Sequence, residues 1–180
     1  MTMNFRNVFQ HLVDFFNREK IDYALIGAFA LKAYGYTRAT QDIDFFARGE
    51  DQDAIIGMLE SIGFETMYRS TGYSNHQHPL SGLGRIDFVY AGGATADALF
   101  RDTRKLLVIG EMRVPVVSPE HLVALKVFAI KNNPQRALRE MADIEYLLKM
   151  PDVDAEELKK VFEKYGQMGK YYEIIRKIKK

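Results

Sequence analysis

Apolar residues open the chain at three- and four-residue steps, with Phe5, Val8, Phe9, Leu12 and Phe16 in one stripe and Val13 and Phe15 widening it. Such a stripe predicts an amphipathic helix that ends before Ile21. The pattern then tightens to a mostly apolar run from Ile21 to Ile26, the mark of a buried strand. Gly27 ends that run, and Ala28 to Tyr34 form a small-residue helix closed by Gly35. From Gln41 to Ala47 the pattern alternates, so a strand there turns Asp42 and Asp44 to one face and Ile43 and Phe45 to the other. A helix is predicted over Asp53 to Ile62, with Ile55, Ile56, Leu59 and Ile62 inward and Gly63 as its stop, followed by a strand over Phe64 to Arg69.

Ser70 to Gly84 is rich in Ser, Gly, Asn and His, contains Pro79, and reads as a long loop able to cover a site. Alternation returns from Arg85 to Tyr90. A short helix over Thr95 to Arg104 and two strands, Leu106 to Ile109 and Arg113 to Val117, complete this half. The two strands meet around Gly110 as a hairpin, and Pro115 places the second of them at a sheet edge. Beyond Val117 the periodicity is helical. Ser118 can cap with Pro119 at the first helical position, and Leu122, Leu125 and Ala129 share a face. Asn133 and Pro134 repeat the start signal before a helix carrying Leu138, Met141, Ile144, Leu147 and Leu148. Asp154 and Glu157 stand at capping-box spacing ahead of a helix that stops at Gly166, and one more helix ends the chain. The expectation is an α+β fold, a mixed sheet with flanking helices over residues 1–117, and a C-terminal helical segment over 118–180 packed on that core.

At 180 residues, 47% hydrophobic and 27% charged, the chain can bury a substantial core and lies outside the disordered and collagenous classes. The absence of cysteine excludes a disulfide framework and a thiolate metal site. Polar residues interrupt the stretch from Met1 to Lys20, which lacks a signal-peptide core and a membrane span, so a cytoplasmic protein is expected. A net charge of +1 advertises no nucleic-acid partner. The one basic cluster, Lys170, Arg176, Lys177, Lys179 and Lys180, reads as a solvated helix end that suits the helix dipole.

The carboxylates change the picture. Two residues apart on a strand, Asp42 and Asp44 lie roughly 6.6 Å apart along the chain. At an effective dielectric near 20 their charges repel by about 2.5 kcal/mol. In a cleft a divalent cation removes that conflict, and magnesium characteristically takes one or two carboxylates, waters and substrate phosphates. Asp87, in Arg85-Ile86-Asp87-Phe88-Val89, is the third acid a neighbouring strand could bring alongside, to complete the metal site or accept a proton. Fifteen residues before Asp42, Gly27 stands between strand and helix, where backbone amides favour phosphate. His76 and His78 lie in the loop without further zinc-ligand spacing and read as solvated, and Tyr68, Tyr73 and Tyr90 read as packing residues.

Leu25-Ile26-Gly27-Ala28-Phe29-Ala30-Leu31 followed by Arg38-Ala39-Thr40-Gln41-Asp42-Ile43-Asp44 resembles the signature of the nucleotidyltransferase superfamily, and the strand with Asp87 is similar to the one that bears its third carboxylate. Within the superfamily the chain looks most like the AbiEii-like toxins and related bacterial nucleotidyltransferases, which also share a helix like Ser118 to Lys126 and an acid like Asp143. The resemblance covers most of Ile21 to Leu148. It implies transfer of a nucleoside monophosphate from an NTP, with two magnesium ions on Asp42, Asp44 and Asp87. Gly27 and Ala28 would give backbone contacts to phosphate, and Arg38 and Thr40 would orient phosphate or the metal-bearing strand. Lys126 would either contact phosphate or pair with Asp143. Acceptors in view are RNA such as tRNA, a protein or a small hydroxylated molecule, and an antitoxin is a possible partner. Where the superfamily has Gly-Gly or Gly-Ser this chain has Gly27-Ala28, which keeps open the alternative of a catalytically inactive nucleotide-binding or interaction protein of the same fold.

Overall fold

The computed structural model describes residues 5–40, 42–80 and 82–179. Gln41 at the head of the alternating strand, Lys180 of the basic cluster and residues 1–4 of the N-terminal stretch lie outside the described residues, as does the side chain of Phe5. The chain divides into two compact units, Met1–Val117 and Ser118–Lys180.

The first unit is built on a mixed seven-stranded sheet. In chain order its elements are α1 (Phe5–Glu19), β1 (Tyr23–Ile26), α2 (Gly27–Ala33), β2 (Asp42–Arg48), α3 (Gln52–Ser61), β3 (Glu65–Ser70), β4 (Tyr73–Gln77), β5 (Arg85–Ala91), α4 (Gly93–Arg101), β6 (Arg104–Ile109) and β7 (Met112–Val116), with a 3-10 turn at Gly49–Asp51 before α3. The strand order is β3-β4-β5-β2-β1-β7-β6. β2 and β5 run parallel at the centre, and the sheet buries aromatic residues on the side that α1 covers. Phe45 and Phe88 have ring centroids 5.4 Å apart, and Phe9 and Phe16 of α1 lie 5.9 and 5.6 Å from Phe45. On the opposite side Phe46 packs against Phe100 of α4 at 5.3 Å. Alternation along β2 therefore sends Phe45 into one aromatic layer and turns Asp42 and Asp44 to the other face.

Three expectations are corrected in this unit. The stretch from Ser70 to Gly84 is not one long loop, because Tyr73–Gln77 forms β4, paired antiparallel with β3 and β5. Its inward positions are Ser74 and His76 rather than aliphatic residues, so no hydrophobic alternation marks it. Both are fully buried, which also overturns the reading of His76 as a solvated loop histidine. A chain of hydrogen bonds satisfies them, from Tyr90 Oη to Ser74 Oγ (2.9 Å), from Ser74 Oγ to His76 Nε2 (2.8 Å) and from His76 Nδ1 to Thr66 Oγ1 (3.2 Å). Third, β7 is not an edge strand, since it lies between β1 and β6. Pro115 is tolerated there because the ladder to β1 is confined to the pair Leu25↔Val116 and the bond from Val117 N–H to Leu25 C=O.

The second unit is helical, with α5 (Pro119–Asn132), α6 (Ala137–Leu148), α7 (Ala155–Lys164) and α8 (Met168–Ile178). Ser118 Oγ accepts from His121 N at 3.4 Å, and Asp154 Oδ1 accepts from the amides of Glu156 and Glu157, so both caps form. Leu138, expected on the inward stripe of α6, is 86% exposed. Glu140 and Asp143, both buried by their bonds to Lys126, turn the inward face of α6 toward themselves and leave Leu138 on the outside. Among the described residues no helix is long and apolar enough to cross a membrane.

Candidate active site

The parallel register of β2 and β5 sets Asp42 opposite Arg85 and Asp44 opposite Asp87. Paired residues on neighbouring strands point to the same face, so Asp44 and Asp87 stand about one strand spacing, some 4.8 Å, apart, with Asp42 two residues along β2 on the same surface. The row through Asp44 continues in both directions, from Ile26 on β1 through Asp44 and Asp87 to Asn75 on β4 and Tyr68 on β3.

Each carboxylate has its own surroundings. Asp44 lies against the backbone of Gly27, where a Cβ would come within 2.0 Å of its Oδ2. Gly27 has φ +66, so the residue that ends β1 and opens α2 needs glycine both for its conformation and for this approach. Asp42 is fixed at its backbone, where its amide donates to Thr40 Oγ1 at 3.2 Å and its carbonyl accepts from the same hydroxyl at 3.3 Å. Its Oδ2 accepts from Arg85 Nη2 at 2.8 Å. Asp87 is only 7% exposed. Burial raises its pKa above the ordinary aspartate value, against the charge of Arg85 and a hydrogen bond from Tyr73, while the charge of Asp42 adds to the rise.

Arg85 occupies the space between Asp42 and Asp87, with its Nε 3.4 Å from Asp87 Oδ1. Neither of those two atoms makes a hydrogen bond, and both are buried. Among the described residues no three of His, Asp and Glu converge as a ready-made metal cluster, and Arg85 contacts two of the three acids at this site. The donor set nonetheless fits magnesium. It consists of carboxylate oxygens alone, and Asp87 presents a buried oxygen without a hydrogen bond.

The remaining expected residues fall as follows. Ala28 is 2% exposed, so its methyl is enclosed and only its backbone is offered. Arg38 is half-buried in the segment between α2 and β2. Lys126, in the second unit, donates to Glu140 Oε2 at 2.9 Å and to Asp143 Oδ2 at 2.5 Å. The pair with Asp143 is thus formed, with Glu140 as a further partner, and Arg136 reaches the other Glu140 oxygen at 2.7 Å. Sequence reasoning missed Arg85 and Asn75, and it set Tyr73, which hydrogen-bonds Asp87, aside as a packing residue. Arg85 was detectable by its two-residue spacing from Asp87, which puts both on one face. Tyr73 and Asn75 were not, because β4 itself had no apolar signature.

Comparison with known proteins identifies the family and the fold. The profile of the family described as "Nucleotidyl transferase AbiEii toxin, Type IV TA system" matches residues 8–176. No curated protein sequence matches. Among solved structures, ANT(2'')-Ia in complex with adenylyl-2''-tobramycin is similar at a TM-score of 0.69 and 15% identity, over 89% of this chain and 95% of that one. The lincosamide antibiotic adenylyltransferase LnuA, bound to lincomycin, gives 0.54 and 15%, over 82% and 99%. JHP933 from Helicobacter pylori gives 0.55 and 14%, over 97% and 92%. At such identities these likenesses show the fold and no more. The family profile spans nearly the whole chain and both of its units, and the chain therefore belongs to the AbiEii family of nucleotidyltransferase toxins.

Proposed function

We propose that the protein transfers a nucleoside monophosphate from an NTP to a hydroxyl of its acceptor in a magnesium-dependent reaction. The observation that carries this reading is the register that lines up Asp44 with Asp87 on the face that also bears Asp42. Asp42, Asp44 and Asp87 would hold magnesium, two ions in all, which when bound offsets the charge of the triphosphate and of the departing pyrophosphate. Gly27, whose backbone lies beside Asp44, and Ala28 after it are assigned to the phosphates. Thr40 holds the backbone of Asp42, and Arg38 is assigned to the same segment. In the reaction the acceptor oxygen forms a bond to the α-phosphorus, the bond from that phosphorus to the β-bridging oxygen breaks, and pyrophosphate leaves. Asp87, whose carboxyl burial holds above the usual aspartate range, is the base that takes the acceptor proton.

The acceptor belongs to this proposal as an RNA such as tRNA, a protein or a small hydroxylated molecule. An antitoxin partner follows from the toxin–antitoxin setting in the family's description. Purified protein incubated with each labelled NTP, magnesium and cell RNA tests the reading. Label should move to an acceptor with the wild type and not with Asp42→Ala. Magnesium-dependent NTP binding without turnover on any acceptor class would instead favour an inactive nucleotide-binding protein of this fold.

A further inference from the structure

Two of the three carboxylates are already engaged by a cation that the chain itself supplies. Arg85 Nη2 donates to Asp42 Oδ2 at 2.8 Å, and its Nε lies 3.4 Å from Asp87 Oδ1. Its side chain is 42% exposed, whereas that of Asp87 is 9% exposed, so Arg85 lies on the solvent side of Asp87. Its fit is incomplete, because the Nε and the Asp87 oxygen it faces are both buried without a hydrogen bond. An imperfectly bonded guanidinium shared between buried Asp87 and partly exposed Asp42 is a partner that a better-fitting cation can displace.

We propose that Arg85 is a resident counter-cation of the carboxylate site, which a divalent ion must displace from Asp42 and Asp87 and which then turns to the phosphates of the nucleotide. The inference rests on the reading of the three acids as the magnesium site. With no nucleotide present the released guanidinium has only water to bind, so metal affinity is weakened by the cost of breaking its contacts. With nucleotide present the planar fork meets phosphate oxygens, for which its geometry is suited, and that cost is recovered. Metal and nucleotide therefore bind with positive coupling, and by linkage each raises the affinity of the other by the same factor. In this scheme Arg85 positions the acids in the metal-free enzyme and contacts the phosphates once metal and nucleotide are bound. It holds like-charged carboxylates together in the metal-free enzyme and makes the metal site complete only when substrate is present.

Manganese is the probe, followed by electron paramagnetic resonance on the full chain without nucleotide. Arg85→Gln should bind Mn2+ more tightly than the wild type by roughly fivefold or more, the lower end of ordinary coupling between sites. Adding a non-hydrolysable NTP should tighten Mn2+ binding in the wild type and do so much less in the variant. Arg85→Lys, which keeps a charge but loses the fork, should fall between them, and circular dichroism on each variant confirms the fold. Equal or weaker Mn2+ binding by folded Arg85→Gln overturns the role of Arg85 while leaving the metal site standing. Mn2+ binding that persists undiminished in Asp44→Asn, or that is absent from the wild type even with nucleotide, overturns the metal site and the proposal with it.

Discussion

Gly27 and Asp44 are in such close contact that a single methyl group on the glycine would stand 2.0 Å from the Asp44 Oδ2 and 2.8 Å from its Cβ. The first clash could be relieved by turning the carboxylate, but the second involves the root of the side chain and forces the backbone of β2 or α2 to move. Gly27→Ala also places an L side chain at φ +66. The strain should lower stability by about 1–2 kcal/mol. Because the shift falls on a residue assigned to the proposed metal site, kcat/KM should drop on the order of 100-fold. Thermal melts together with nucleotidyl-transfer rates check both halves, and a variant that melts lower with unchanged rates would detach the glycine from the chemistry.

Ala28, the residue that departs from the resembled signature, bears on whether the site is active. Its side chain is enclosed, so a hydroxyl at this position would enter the packing rather than the cleft. Ala28→Ser is expected to leave NTP affinity within about twofold of the wild type while lowering stability by roughly 1 kcal/mol for a buried hydroxyl. Calorimetric titration with NTP and magnesium decides it. A tenfold gain in affinity would mean that the hydroxyl reaches phosphate and that the natural alanine has weakened the site.

How far the sequence announced this site depends on what each residue's neighbours are made of. Asp42, Asp44 and Asp87 were visible because Ile43, Phe45, Ile86 and Phe88 alternate with them, and alternation fixes the face before any strand partner is known. The contact of Arg85 with Asp42 needed the parallel register of β2 and β5, which is a tertiary fact. β4 escaped because its buried side chains are a serine and a histidine satisfied by Tyr90 and Thr66. Its one local cue was the two-residue connection Thr71-Gly72 between Ser70 and Tyr73. Pro115 misled for the converse reason, since an interior strand accepts proline where a short ladder asks for no amide.

The buried histidine of that network gives the protein a pH dependence. Burial lowers the His76 pKa from 6.5 to about 4, against a smaller opposing effect of Glu60. Between these values the unfolded chain binds a proton that the folded chain refuses, so stability is intact above about pH 6.5 and falls as the pH drops toward 4. The loss should reach about 3 kcal/mol at most. Urea unfolding of the wild type and His76→Gln across this range checks it. The variant starts lower because the network is altered, and its curve should be flatter. Parallel curves would assign the acid sensitivity to other groups.

Lys126 separates a structural role from a chemical one. Its ammonium lies between Glu140 and Asp143, all three buried. Burial opposes the charge of Glu140, but Lys126 and then Arg136 outweigh it and hold the Glu140 pKa below the ordinary value. Lys126→Met would remove the ammonium that lies between the two buried carboxylates, with the Arg136 guanidinium still on Glu140. Breaking a buried ion group from one side typically costs about 3–5 kcal/mol, and the penalty should be largest near neutral pH. On acidification the stabilising contribution of Glu140 in the wild type is lost as pH falls below 4.5 toward its depressed value, and with it part of what the substitution removes. The two stability curves should therefore converge at low pH. Urea unfolding at pH 7 and pH 4, paired with NTP titration of whatever fraction remains folded, reads both roles at once. A variant that keeps its stability at pH 7 but loses NTP affinity would move Lys126 from the helical unit's ion cluster to the triphosphate.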